Sequence, residues 1–413
     1  MASRGLSSLP PTKENLHRLR VQVRVTSGLF RLGMRHWAPL RVTGADQLQP
    51  RDPYLFLANH TGLFDPPSLV IAARRHINML ATESNIRSSA IGQFITAYGG
   101  VPKKKYTSDV RAIMQLRRWA DLGASIGVFP EGQRSWDGKP LPLVPGIEKL
   151  VALLKLPVVT CRIRNAYRQS PRWAERMRRG TVLVELDPPQ TFDTETPDQI
   201  SEHIRKAIAV DPMEEPRFPL TGRDLAAGIS NVAWACPVCG EIRSFIEEGN
   251  RVRCSSCRSR WRVDWDCRLV SLDGARSHTL PEVVALAEQH QLAGDRFGRT
   301  TILESEPMKL WDITKPRPRL VGDGVLRLLP DELVVDGPLP WSAPLDTVAA
   351  PTVDMRRRLT LRVGTSYMEL EMARESVLKW VWFTEQLLAR RSDAAASGAG
   401  PPQAGPTIDA QAP

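Results

Sequence analysis

Between residues 39 and 210 the chain returns four times to a short, almost wholly apolar run, at 54–58, 125–129, 156–159 and 182–186, with amphipathic stretches such as 109–122 and 146–154 in between. A run with no polar alternation has to be covered on both faces, so it belongs inside a sheet rather than on a half-exposed one. The amphipathic stretches supply the covering layers. The expected fold is therefore α/β, a buried sheet flanked by helices, occupying 39–212.

The rest of the chain divides by punctuation. Residues 1–38 form a basic amphipathic segment, and prolines at 212, 216 and 219 open an expected linker over 213–232. A cysteine module is expected over 233–267, a helical connector over 268–300 and a small β-rich domain over 301–391. The last is read from the runs 325–328, 333–335, 359–363 and 367–370 and the helical pattern 375–388. The final 22 residues, 392–413, are Ala, Gly and Pro with little to bury, and are expected to be disordered. A charged fraction of 24% beside 42% hydrophobic residues excludes disorder for the chain as a whole. No uninterrupted apolar run reaches the roughly 18 residues that a bilayer span requires.

Lys and Arg number 56 against 45 Asp and Glu, a surplus of +11 that calls for an anionic partner. Part of it is patterned. On a helical wheel at about 100° per residue, Leu16, Leu19, Val23, Phe30, Met34 and Trp37 fall within roughly 60°, and Arg20, Arg24, Arg31 and Arg35 occupy the adjacent sector. An apolar stripe beside a basic one suits a helix, or two broken near Ser27-Gly28, lying on an anionic membrane surface; the same stripe would also pack on the α/β core.

Three segments carry chemistry. Directly after the run ending at Ala58 come His60 and, five residues on, Asp65, which can accept a hydrogen bond from one ring nitrogen and leave the other free as a base. Taken alone, that spacing also fits a surface turn. The run ending at Phe129 leads into Pro130-Glu131-Gly132-Gln133-Arg134-Ser135, a rigid loop presenting a carboxylate and a cation, or a structural ion pair. Between them Gly99-Gly100-Val101-Pro102 feeds Lys103, Lys104 and Lys105, a phosphate site or a solvated basic loop.

In this order, and followed by Leu156-Pro157-Val158-Val159, these segments resemble the four motifs of the glycerolipid acyltransferase family, which includes the 1-acylglycerol-3-phosphate acyltransferases. The resemblance spans roughly residues 15–210 and implies acyl transfer from acyl-CoA or acyl carrier protein to the hydroxyl of a lysophospholipid, with 1-acylglycerol-3-phosphate the first choice. It assigns His60 and Asp65 as catalytic and Lys105, Glu131, Gly132 and Arg134 as substrate-binding. Lys105 stands where the family often has an arginine, so its phosphate contact would be a point charge without the guanidinium fork. The alternatives are a different lysolipid acceptor, or an adaptor that binds lipid or nucleic acid without activity.

Cys236-Pro-Val-Cys239 and Cys254-Ser-Ser-Cys257 are two knuckles separated by fourteen residues. Four thiolates complete a closed tetrahedral shell, which points to a structural zinc, and the module resembles a zinc ribbon. Arginines and tryptophans around it would suit nucleic acid, but Glu241, Glu247 and Glu248 dilute the charge, and nucleic acid is not the expected partner. Residues 301–391 resemble a pleckstrin-homology or GRAM-type domain by pattern. With isolated cysteines at 161 and 267 and no basic-plus-apolar leader at the N-terminus, the expected location is cytoplasmic, peripheral on the inner face of the membrane.

Overall fold

A computed structural model of the chain describes residues 9–82, 89–103, 109–315, 317–373 and 375–396. It resolves into two compact units: one takes in the chain up to Leu225 together with Asp264–Cys267, the other Ala226–Val263 and the chain from Arg268 onward.

In the first unit the apolar runs become strands. These are β1 (Leu40–Thr43), β2 (Leu55–Ala58), β3 (Ile77–Thr82), β4 (Val101–Lys103), β5 (Ser125–Val128), β6 (Val158–Arg164), β7 (Arg179–Gly180), β8 (Val182–Leu186) and β9 (Leu220–Thr221). The helices are α1 (Lys13–Trp37), α2 (Asp65–Ala73), α3 (Ser89–Ala97), α4 (Val110–Asp121), α5 (Ile147–Leu154), α6 (Ala166–Gln169) and α7 (Pro197–Ile208). Seven strands form one sheet in the order β1-β8-β6-β2-β5-β3-β4, and β6 with β8 is its one antiparallel pair. Both faces are covered, as uninterrupted apolar runs demand. Leu55 and Leu57 of β2 join a core with α4, α5 and α7, while the alternate residues Phe56 and Ala58 join a second core with α2.

α1 is one helix, continuous through Ser27 and Gly28 and capped by the Thr12 side chain, which accepts the Asn15 N–H at 3.2 Å. Leu16, Leu19, Val23 and Met34 of the stripe considered for membrane contact are buried, and Phe30 is partly buried against the core. That stripe packs inward because the sheet offers apolar surface the helix can cover. A different row, Val21, Val25, Leu29 and Leu32, is 47–71% exposed and lies on the opposite side of the helix.

The stretch expected as a linker carries buried contacts. Glu215 accepts the Asn165 N–H at 2.9 Å and lies 3.8 Å from Arg168, and β9 pairs with β7. Asp266 pairs with Arg168 at 3.0 Å and with Arg217 at 2.9 Å, and the Cys267 sulfur accepts from Arg178 at 2.9 Å.

The second unit begins with an antiparallel sheet of β10 (Phe245–Glu248), β11 (Arg251–Cys254), β12 (Arg260–Val263), β13 (Leu269–Ser271) and β14 (Ser277–His278). Helix α8 (Leu280–Ala293) follows, with a Thr279–Glu282 capping box. Then come β15 (Leu303–Asp312), β16 (Arg319–Leu328), β17 (Glu332–Leu339), β18 (Trp341–Pro344), β19 (Val348–Met355), β20 (Arg358–Val363) and β21 (Ser366–Met372). They form an antiparallel sheet in the order β18-β17-β16-β15-β21-β20-β19. The closing helix α9 (Val377–Ala396) buries Val377, Trp380, Phe383 and Leu387.

Candidate functional site

β2 and β5 are parallel neighbours, so the loops that leave their C-terminal ends emerge side by side. Asn59 fixes the end of β2. Its side chain donates to the Ile163 carbonyl at 3.0 Å and accepts the Ile163 N–H at 2.7 Å. His60 follows, and two main-chain links zip its loop to the next: its N–H donates to Glu131 Oε2 at 3.0 Å, and its carbonyl accepts the Ser135 N–H at 3.1 Å. The imidazole stacks on Phe129 with ring centroids 4.3 Å apart.

Asp65 opens α2 and is 1% exposed. Its Oδ2 lies 2.9 Å from His60 Nδ1 and accepts the N–H groups of Thr61 and Gly62, each at 2.8 Å. With an ionised carboxylate, this network assigns the ring proton to Nδ1 and leaves a lone pair on Nε2. Gly62 is required by space, since a Cβ there would stand 2.8 Å from both Ala166 Cβ and Asp65 Oδ1. Burial lowers the His60 pKa, Asp65 opposes that shift, and the charges of Arg134 and Arg172 add to it. The imidazole is thus held toward its neutral form, with Nε2 unprotonated and part of its ring, about a fifth, open to solvent.

Glu131 is buried, and its Oε1 accepts the Leu141 N–H at 3.3 Å while Oε2 takes that of His60. Burial, aided by the Asp65 charge, pushes its carboxyl up to about 7. Gly132 sits at a φ of 72°, and Arg134 is half-buried. Lys105 lies outside the described residues; Lys103 ends β4, which runs parallel to β3, and β3 parallel to β5, so the chain leaves β4 at the same end of the sheet as His60.

The sequence pattern did not single out Arg172. It is 4% exposed, lies over the Trp136 ring at 4.5 Å, and donates to the Arg134 carbonyl at 2.9 Å and to Gln133 Oε1 at 3.1 Å. Beside it Ser170 Oγ accepts the Leu63 N–H at 2.9 Å. The segment after β6 thus buttresses both loops. Its signal was the polar run Arg168-Gln169-Ser170-Pro171-Arg172 interrupting an apolar neighbourhood.

In the second unit the Sγ atoms of Cys236, Cys239, Cys254 and Cys257 lie within 4.8 Å of one another. Cys236–Cys257 and Cys239–Cys254 are 3.7 and 3.8 Å apart, too long for disulfides. A tetrahedron with Zn–S near 2.3 Å has S···S edges of about 3.8 Å. The Val238 and Cys257 N–H groups point at Cys236 and Cys254 sulfurs at 3.4 and 3.5 Å, and Gly240 takes the left-handed φ of 71° that closes the first knuckle. The donor set fits zinc.

Residues 39–164 match the acyltransferase family model. The match begins at β1 and ends with β6, so it contains both loops. A 1-acyl-sn-glycerol-3-phosphate acyltransferase of Chlamydomonas reinhardtii is 27% identical over 175 residues, covering 41% of this chain and 51% of the relative. One of Cocos nucifera is 23% identical over 200 residues, covering 47% and 64%. The chain thus spans between about half and just under two thirds of these curated relatives. Among solved structures, the 1-acyl-sn-glycerophosphate acyltransferase PlsC of Thermotoga maritima is similar at 21% identity and a TM-score of 0.40, covering 48% of this chain and 78% of that one.

Proposed function

We propose that the protein is an O-acyltransferase that moves a fatty acyl group from acyl-CoA or acyl carrier protein to the free hydroxyl of 1-acylglycerol-3-phosphate, giving phosphatidic acid. The observation that carries this reading is the His60 Nδ1–Asp65 contact of 2.9 Å on the turn after β2, beside the loop after its parallel neighbour β5 and inside the segment that matches the acyltransferase family. His60 Nε2 takes the proton of the acceptor hydroxyl as its oxygen attacks the thioester carbonyl. The new C–O bond forms, the C–S bond breaks, and the proton passes to the departing thiolate. Asp65 fixes the tautomer and stabilises the imidazolium formed in between.

The acceptor phosphate is assigned to the cationic side, Arg134 with Gly132, and Lys105. Glu131 serves that pocket through its grip on the His60 and Leu141 main chain, because a carboxylate facing a phosphate would repel it. The test is purified protein with acyl-CoA or acyl carrier protein and labelled lysophosphatidic acid beside other lysolipids, with products identified by mass. Turnover of another lysolipid in preference would move the acceptor assignment, and turnover by His60→Ala at the wild-type rate would remove the base.

The acceptor is a membrane lipid, and among the described residues no helix is long and apolar enough to cross a membrane. We place the protein at an anionic membrane surface, on the cytoplasmic side. The exposed row Val21, Val25, Leu29 and Leu32, with arginines beside it, supports this placement.

For the second unit we propose a zinc ribbon holding one structural ion on Cys236, Cys239, Cys254 and Cys257, and a pleckstrin-homology-like domain after it. Seven antiparallel strands in the order four-three-two-one-seven-six-five with a closing helix support the latter. One equivalent of zinc per chain by metal analysis, lost in Cys254→Ser, is the expected result.

A further inference from the structure

The first unit holds a cavity of about 560 Å³ that the reaction does not use. It is lined by the residues that enter the strands: Asp52 before β2, His76 before β3, Gly123 before β5 and Ser125, the first residue of β5. His60 and Glu131 follow the other ends of β2 and β5. The four residues of β2 alone separate the two places by roughly 13 Å, so a substrate headgroup seated at His60 does not reach the cavity.

Its lining is cationic. Arg20, Arg24 and Arg31 come from α1, Arg51 from the turn before β2, and Arg74 and Arg75 from the end of α2, against one acid, Asp52. Two of them are occupied: Arg20 donates to the Gly123 carbonyl at 2.7 Å, and Arg75 to the carbonyls of Asp52 and Gln49 at 2.5 and 2.9 Å. Among the described residues, Arg24, Arg31, Arg51 and Arg74 have no carboxylate at ion-pair distance. His76 is 6% exposed, and its Nε2 has no hydrogen-bond partner there. Burial holds it down to about 4, with the nearby Arg20 charge adding to the shift and a hydrogen bond with Asn78 opposing it. The arginines repel one another, and among the described residues Asp52 is the one carboxylate lining the cavity to balance them.

The same helix says which anion. Turning α1 from the arginine row by about 100° brings round the exposed row Val21, Val25, Leu29 and Leu32. A ligand with a phosphate in the cavity and acyl chains along that row satisfies both. We propose that this cavity is a binding site for the phosphate of an anionic phospholipid headgroup in the bilayer, distinct from the acceptor site at His60. It rests on the membrane-surface reading above and adds a defined headgroup site to it.

The test is flotation with vesicles of phosphatidylcholine, with and without phosphatidylglycerol, using the full chain. Replacing Arg24, Arg31 and Arg74 together by Gln should weaken binding to the phosphatidylglycerol vesicles about 100-fold, from about 1 kcal/mol per arginine. Acyl transfer to micellar lysolipid should be unchanged, which also reports the fold. A second triple on the exposed residues Arg111, Arg118 and Lys149, again to Gln, should leave binding within about twofold. Equal losses in the two triples would mean diffuse attraction and overturn the proposal. Saturation by inorganic phosphate alone, as tight as by vesicles and shifting the His76 imidazole resonances, would assign the cavity to a free anion and overturn it as well. Flotation needs no turnover: absent acyl transfer with intact, arginine-dependent binding would sink the enzymatic reading alone, and absent binding with intact transfer would sink this one alone.

Discussion

At the C-terminal ends of β2 and β5 the groups that hold the base in place are engaged: Asp65 Oδ2 takes three donors, Glu131 two main-chain N–H groups, and Arg172 a carbonyl and an amide. At the N-terminal ends of the same strands, arginines gather around one acid and a buried histidine. The difference separates two demands. Proton transfer needs an atom fixed to within a fraction of an ångström, which hydrogen bonds to every neighbour supply. Capture of an anion needs charge left unspent until the anion arrives.

The two ends differ most at His60. His60→Ala should lower kcat by about 10²–10⁴-fold with KM for the lysolipid little changed, while Arg74→Gln at the opposite end leaves kcat within about twofold. A large fall in kcat for Arg74→Gln would mean that the two ends are not separate sites.

Next comes Glu131. Its carboxyl stands near 7 in the folded chain against an ordinary 4.5, so the folded state holds the proton longer. Its stabilising contribution is therefore full below pH 4.5 and is lost as pH rises toward 7, about 3 kcal/mol across the window. Urea unfolding at about pH 5 and about pH 8 should show a shallower decline for Glu131→Gln than for the wild type. Identical slopes would mean that Glu131 is ionised throughout.

Arg172→Ala should be milder, about tenfold in kcat/KM through disorder of the loop bearing Arg134, on the scale of one or two charged hydrogen bonds. Arg172→Lys keeps the charge and loses the fork; it should recover the His60-dependent pH profile without recovering KM. Full recovery by lysine would mean that charge alone matters.

Much of the first site was legible because its parts are local. His60 and Asp65 are five residues apart on one turn, Glu131 to Arg134 form one loop, and uninterrupted apolar runs fixed where those turns emerge. Arg172 was not legible: it meets Arg134 across 38 residues, and no spacing rule connects them. The wheel of α1 gave the right sector but not what covers it, since a sheet and a bilayer accept the same apolar stripe. The exposed row, on the opposite side, has only four apolar residues spread over about three turns to mark it. In the second unit, four apolar runs corresponded to β16, β17, β20 and β21. β15 and β19 escaped because register shifts at Glu304/Pro307 and Ala349/Thr352 interrupt the two-residue period that marks a strand.

The four residues Asp264–Cys267 give the molecule a property of its own. They lie in the chain between β12 and β13, yet they complete the first unit by supplying the carboxylate for Arg168, a side chain only 2% exposed, and a sulfur for Arg178. A polypeptide cut after Leu225 keeps every residue of the His60 site and loses the nearer of the two carboxylates beside buried Arg168, leaving Glu215 at 3.8 Å. The two units are thus separate as bodies but not as stretches of chain. No single cut divides one from the other, and shuffling either as a cassette would carry a defect into its neighbour.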